Sequence, residues 1–291
     1  MQLSIITLNY RKPSLTLACV ESLYAVYNQE FITDNFEVII VDNFSQDNSL
    51  LQIKEEIKKR RYTNCKIIAS ENNGGFGAGN NLGAKQAKGQ IILFLNNDTQ
   101  VKSGLKEMVD FLAKHDDVKI LGGQLKSHDG FLQNSSGKFY TLWNLLLFLL
   151  GMQRFGLVDQ SPKRISQVDW VKGALMMVKK DAFNVLGGFD ENMFMYLEDM
   201  ELCFRAREKG YKIYFYPQVE VIHLDQGSSN RTFAVVNIYK NMLYFYSKHK
   251  SVVEYKIAKS LLLSKAYFVI LMGILLHKPE LISRYKEAIK F

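Results

Sequence analysis

Four short apolar runs in the first hundred residues, with helical stretches between them, constrain this chain more than any other feature. Leu3–Leu8, Glu37–Val41, Lys66–Ala69 and Gln90–Leu95 read as strands. Helices are expected at Ser14–Val26, opened by Pro13, at Asn48–Arg61 and at Ala78–Ala87. The alternation predicts an α/β fold with a mostly parallel central sheet flanked by helices. In such sheets ligands bind beyond the carboxyl ends of the strands. Thr7, Asn9, Asp42, Asn72, Asn73, Asn96, Asn97 and Asp98 follow those ends, so topology alone places them on one binding edge.

Composition sets the outer limits. With 291 residues, 47% of them hydrophobic, the chain forms a sizeable core as one large domain or two small ones. Met1–Thr7 has no basic leader and runs straight into the first strand, unlike a signal peptide. Cys19, Cys65 and Cys203 lack metal-ligand spacing and suit a reducing cytosol. The net charge of +8 suggests nucleic acid until it is located. Residues 232–291 hold ten Lys/Arg against three Glu, a net of +7, so the excess sits in an apolar tail. That arrangement fits an anionic membrane surface, at the inner face of the cytoplasmic membrane, rather than an aromatic-lined nucleic-acid groove.

Three stretches carry chemistry. The loop Asn72–Asn81 is glycine-rich, but its G-x-G-x-G spacing and its place after the third strand do not match a dinucleotide fingerprint. It still lets backbone N–H groups at Asn73, Gly75 and Phe76, with Asn81 beyond, approach a phosphate or ribose, or else it is a plain turn. Leu93–Thr99 is an apolar strand ending in Asn96, Asn97 and Asp98, where a carboxylate can hold a hard cation, although Asn-Asn-Asp is also ordinary turn chemistry. Gly187–Gly210 breaks at two glycines and then becomes a helix from Leu197, with Glu198 and Asp199 in its first turn and Gly210 as its stop. Neighbouring helical residues diverge by about a quarter turn. One of the pair can therefore hold local structure while the other faces a cleft as a general base.

Asp42, the Asn/Gly loop, Asn-Asn-Asp and Glu198-Asp199, in this order, resemble a family 2 inverting glycosyltransferase of GT-A fold. The likeness is strongest to the bacterial rhamnosyltransferase-like branch and covers about residues 2–230. It implies a nucleotide-sugar donor whose base contacts Asp42. It further implies Mg²⁺ or Mn²⁺ on the diphosphate at Asp98, and Asp199 as the base. The chain departs from the pattern at Asn96-Asn97, where many members have Asp, and His223 is the candidate second metal ligand. The loop that follows, Gly227-Ser228-Ser229-Asn230-Arg231, is expected to close over the diphosphate, with Arg231 as a phosphate contact. Val168–Ala174 resembles the family's acceptor border, giving Trp170, Lys172 and Gly173 as acceptor residues; a core position for Trp170 is the alternative. The resemblance implies dTDP-rhamnose as donor and a saccharide or polyprenyl-linked saccharide as acceptor, in cell-surface polysaccharide synthesis. UDP-galactofuranose or a UDP-hexose is the alternative donor, and a silent sugar-nucleotide-binding scaffold subunit is the alternative function.

Between Lys126 and Gln167 this pattern fades. Phe139–Leu150 is nearly all apolar and too short to span a bilayer, so a buried helix is expected, with a lipid- or partner-facing patch as the alternative. Tyr211–Tyr216 reads as a strand ended by Pro217. Tail helices are expected at Phe233–Lys248 and Val252–Leu276, suited to docking, dimerisation or membrane contact. The division expected is a catalytic domain over 1–231, with a nucleotide-binding half (1–100) and an acceptor half (101–231), followed by a helical extension over 232–291.

Overall fold

A computed structural model describes residues 1–225 and 230–291. The chain opens with β1 (Leu3–Asn9), α1 (Pro13–Ile32), β2 (Phe36–Asp42), α2 (Ser49–Arg60), β3 (Cys65–Ala69), α3 (Gly75–Gln86) and β4 (Ile91–Leu95). It continues with β5 (Thr99–Ser103), α4 (Leu105–Lys114), β6 (Val118–Lys126), β7 (Leu132–Gln133), β8 (Ser136–Gly137) and α5 (Leu142–Leu149). Then come β9 (Asp159–Gln160), β10 (Ser166–Gln167), β11 (Trp170–Val171), β12 (Leu175–Lys179), α6 (Lys180–Leu186) and α7 (Glu198–Glu208). The last elements are β13 (Lys212–His223), α8 (Arg231–His249), α9 (Val252–Leu275) and α10 (Pro279–Ala288).

The main sheet runs in the order β10-β13-β6-β12-β4-β1-β2-β3. β3, β2, β1 and β4 are parallel neighbours, whereas β12 enters antiparallel between β4 and β6. The α/β architecture expected from the alternation is therefore present, mixed in its second half. Every residue of β2 and β4 is buried, as expected for strands covered on both faces. Alternate side chains feed two cores. Ile39, Val41, Ile92 and Phe94 pack toward α3, α6, α7 and the tail helices, whereas Val38, Ile40, Ile91 and Leu93 pack toward α1, α2 and α4.

Two expectations need correction. Pro217 does not end its strand: β13 runs on to His223, because its register against β6 shifts between Tyr216 and Val221. A bulge of this kind accommodates a residue that cannot donate to the ladder. Within the apolar run Phe139–Leu150 only Leu142–Leu149 is helical, and that helix is half buried; Leu145 and Leu149 face the core while Trp143 and the following Leu150 are exposed. The tail also has a third helix, α10, which packs on α8 and α9. Local signals fix the helix ends. Asn230 caps α8 by accepting from Phe233 N at 2.9 Å, and Ser251 with Glu254 forms a capping box on α9.

Candidate active site

A cleft of about 970 Å³ opens at the carboxyl ends of β1 and β4. One wall is the turn that launches α7, where Tyr196 and Leu197 both have positive φ, 74° and 72°. Immediately beyond it stand Glu198 and Asp199, at the positive end of the helix dipole. Asp199 faces the cleft. Its Oδ2 accepts from Gly173 N at 2.9 Å and its Oδ1 from Met200 N at 2.8 Å. Glu198 is buried, and its Oε2 has no partner among the described residues.

These surroundings separate the two carboxyls. Burial, reinforced by the charge of Asp199, pushes Glu198 well above the ordinary carboxylate range. Burial also raises Asp199, opposed by the two backbone N–H groups and by the Lys172 charge. Asp199, with its two backbone donors and the Lys172 charge, is therefore the more readily ionised of the two.

Across the cleft, His223 Nε2 lies 3.3 Å from Asp98 Oδ1. Gln133 donates to His223 O at 3.1 Å, which turns its Oε1 toward His223 Nδ1 at 2.8 Å. Nδ1 thus carries the proton, and Nε2 is an acceptor that lies 3.3 Å from both Asp98 Oδ1 and the Asn96 Nδ2 donor, so a cation bound there would displace the Asn96 contact. Among the described residues no group of three or more His, Cys, Asp or Glu forms a metal site. The donor set is one carboxylate and one imidazole, which fits a hard divalent cation that takes its other ligands from water and a diphosphate.

The glycine loop supplies the third wall. Asn73 Oδ1 accepts from Gly75 N and from Asn43 Nδ2, both at 3.1 Å. Gly75 has φ +82°, and a Cβ there would lie 1.9 Å from Phe194 O. Only glycine allows this close approach, which brings Phe76 N to within 2.8 Å of Phe194 O. Gly173 sits against the Phe76 ring and Asp199 Cβ, so the turn at Gly173, the glycine loop and Asp199 are in mutual contact.

Of the residues expected in the site, the cleft brings together Asn73, Gly75, Phe76, Asn97, Asp98 and Arg231. Trp170, Lys172, Gly173, Glu198, Asp199 and His223 complete it. Trp170 is also a core residue, 7% exposed, with its Nε1 donating to Lys138 O. Thr7, Asn9, Asp42 and Asn81 instead lie behind the cleft wall. Asn9 Nδ2 donates to Asp42 Oδ1 at 2.7 Å, and Ser45 takes both Asp42 oxygens. Asp42 Oδ2, which accepts only the longer bond from Ser45 N, keeps capacity for a further donor. Asn81 is occupied with the backbone of Phe189. Of the closing loop, Gly227, Ser228 and Ser229 lie outside the described residues.

Sequence reading missed Tyr10, Lys12 and Asn43, which line the cleft and follow strand ends just as the named residues do. It also missed Tyr140, Phe148 and Phe233, whose only signal was membership of apolar helical runs.

The sequence profile of glycosyl transferase family 2 matches residues 4–179. The chain is 25% identical over 251 residues to the low-salt glycan biosynthesis hexosyltransferase Agl10 of Haloferax volcanii, spanning 82% of this chain and 73% of that protein. It is 28% identical over 215 residues to the rhamnosyltransferase WbbL of Escherichia coli K12, spanning 69% and 76%. Among solved structures it is similar to the mannosyltransferase PcManGT from Pyrobaculum calidifontis in complex with GDP-Man and Mn²⁺. That likeness has a TM-score of 0.61 at 15% identity over 99% of this chain and 85% of the other, and it shows the GT-A fold.

Proposed function

The chain belongs to glycosyl transferase family 2, and on that premise we propose that it transfers a sugar from a nucleoside-diphosphate donor to a saccharide hydroxyl, inverting the anomeric carbon. The observation that carries this reading is Asp199, an ionisable carboxylate held by two backbone N–H groups across one cleft from the Asp98–His223 pair. Asp199 takes the proton of the acceptor hydroxyl as that oxygen attacks the face opposite the leaving diphosphate. Fixed by Gly173 and Met200, its carboxylate needs no reorganisation at that moment. Lys12 and Arg231 border the cleft and supply charge-assisted contacts to phosphate oxygens. Asp98 and His223 would hold Mg²⁺ or Mn²⁺, which when bound offsets charge on the diphosphate. Lys172, Gly173 and Trp170 border the acceptor side.

The names of the similar proteins divide between rhamnosyl and hexosyl transfer. dTDP-rhamnose is therefore the first donor to test, followed by UDP-hexoses and UDP-galactofuranose. Thermal shift with each sugar nucleotide, with and without Mn²⁺, should single out one. A melting temperature unmoved by every nucleotide sugar would overturn the reading. For the cation, Asp98→Ala and His223→Ala should each raise the Mn²⁺ concentration needed for half-maximal activity, by about 10- to 100-fold. Full wild-type activity in excess chelator would remove the cation from the proposal.

The tail supports a place for the reaction. Val253, Ile257, Tyr267, Phe268, Leu271 and Leu275 of α9 are exposed on one helical face. Lys256 and Lys265 fall on its two flanks. α9 is long and apolar enough to cross a bilayer, but its opposite face, Ala258, Leu262, Ala266 and Gly273, is buried. Its packing against α5, α8 and α10 suits a helix lying on a surface. Attachment to an anionic cytoplasmic leaflet would confine the enzyme beside a polyprenyl-linked acceptor. Each basic residue near such a surface contributes about 1 kcal/mol. Flotation with phosphatidylglycerol vesicles but not with neutral ones, lost at high salt, is expected. A protein that stays unbound at low salt and sediments as a dimer would assign the face to a second copy instead.

A further inference from the structure

We propose that Asn241, on α8, is a positioning residue for the catalytic base, holding the left-handed turn at Tyr196–Leu197 that aims Asp199 into the cleft. The inference rests on the assignment of Asp199 as base. Two consecutive bulky residues at positive φ are uncommon, and such a conformation persists only where its surroundings enforce it. Leu197 occupies the N-cap position just before α7 and makes no side-chain cap, so the direction of the helix is set by the turn itself. Three supports of the turn come from the described residues. On the donor side, Phe76 N donates to Phe194 O at 2.8 Å. On the helix side, Glu201 N donates to Leu197 O at 2.8 Å. Between them, Asn241 Nδ2 donates to Met195 O at 2.9 Å and to Tyr196 O at 2.8 Å. Asn241 is 1% exposed, so water cannot replace it at either carbonyl.

An amide that bonds two consecutive carbonyls fixes the peptide plane between them. Without it the carbonyls of Met195 and Tyr196 lose this donor, and the turn shifts toward the common backbone regions and carries the first turn of α7 with it. The bond from Gly173 N to Asp199 Oδ2 spans two separate segments and is the contact most exposed to such a rotation. That bond lowers the Asp199 pKa, so its loss raises it. The other ionisable groups that interact with Asp199 are Glu198 and Cys203 on α7, Lys172 after β11, Asp159 on β9 and Tyr140 ahead of α5. Glu198 and Cys203 share α7 with Asp199 and shift with it, whereas Lys172, Asp159 and Tyr140 lie on other elements. The donor loop keeps its own bond to Phe194 and should hold nucleotide as before.

The test uses the full chain, with Asn241→Ala and the donor-retaining Asn241→Gln, and dTDP-rhamnose (or the sugar nucleotide that thermal shift selects) as probe. In Asn241→Ala, kcat should fall about 10- to 100-fold while the donor KM stays within about threefold. The acid limb of the pH profile should move to higher pH. Amide exchange over residues 194–201 should accelerate about tenfold, and Asn241→Gln should recover part of each effect. If Asn241→Ala does not fold, Asn241→Ser, which keeps one small donor, is read by the same measurements. A folded variant with wild-type kcat, an unmoved acid limb and unchanged exchange over 194–201 overturns the proposal. If the wild-type protein turns over no nucleotide sugar, the proposed function fails, and the exchange measurement alone decides whether Asn241 holds the turn.

Discussion

Asp199→Asn is expected to reduce sugar transfer by about 10²–10⁴-fold while donor affinity stays near the wild-type value. The amide preserves shape and one backbone contact, but it has no basic site for the acceptor proton, so the loss falls on the chemical step. Glu198→Gln makes the opposite case. Glu198 is buried beside the Asp199 charge and is the less readily ionised of the two, and a neutral amide keeps the shape of its protonated form. That variant should keep most of the activity. The pH profile supplies a second check. Burial raises the Asp199 pKa, and only the ionised form acts as base. Activity should therefore fall, as pH decreases, at a value above the ordinary carboxylate range. Near-normal turnover in Asp199→Asn together with a dead Glu198→Gln would exchange the two roles.

The largest effect on stability is expected at Glu201, one turn into the same helix. Its carboxylate is completely buried and accepts from Arg205 Nε at 2.8 Å, Lys248 Nζ at 2.8 Å and His249 Nε2 at 2.9 Å. Arg205 in turn holds the carbonyls of Leu186 and Gly188. Glu201→Ala takes the shared acceptor from Arg205, Lys248 and His249 and leaves Lys248 with only Asp190. The cost should be about 3–5 kcal/mol, read from the shift in a denaturant midpoint. The pH dependence has a definite sign. Burial alone would raise the Glu201 pKa, but the hydrogen bonds from His249, Arg205 and Lys248 outweigh it and hold the pKa at about 2. A depressed carboxylate contributes its full stability above the unfolded value near 4.5 and loses it as pH falls through about 2. The gap between wild type and Glu201→Ala should therefore close over that window. A loss below about 1 kcal/mol at neutral pH would show that the cluster is not a stabilising link between α7 and α8.

The same cluster shows why the tail was hard to place from sequence. The periodicity of 232–291 announces apolar helices, and the structure contains them. It does not say which face binds what. Tyr239, Met242, Phe245 and Tyr246 belong to the core that also holds Met200 and Leu202, and Phe233 and Ile238 reach the cleft. We propose that α8 is part of the catalytic unit rather than of an appended extension.

Sequence alone determined the α/β alternation, the edge at which the site lies, and the junction at Glu198-Asp199. Each of these is a local property. Strand and helix periods repeat within a few residues, and a parallel sheet sends all its strand ends to one side. Even Gly75, whose need for a positive φ is a backbone matter, was visible as part of a glycine-rich loop. Tertiary structure alone decided how each polar side chain is used. Asp42 and His223 both look like ligands when read along the chain. Asp42 proves to be engaged by Asn9, 33 positions away, whereas Gln133, 90 positions away, orients His223 and leaves its Nε2 toward Asp98. Likewise, nothing near Tyr196 in sequence predicts a left-handed turn, because its carbonyl is held by Asn241, 45 positions on. A lone pair or an N–H is engaged by whatever the fold brings within about 3 Å of it, and that partner is rarely a neighbour in sequence.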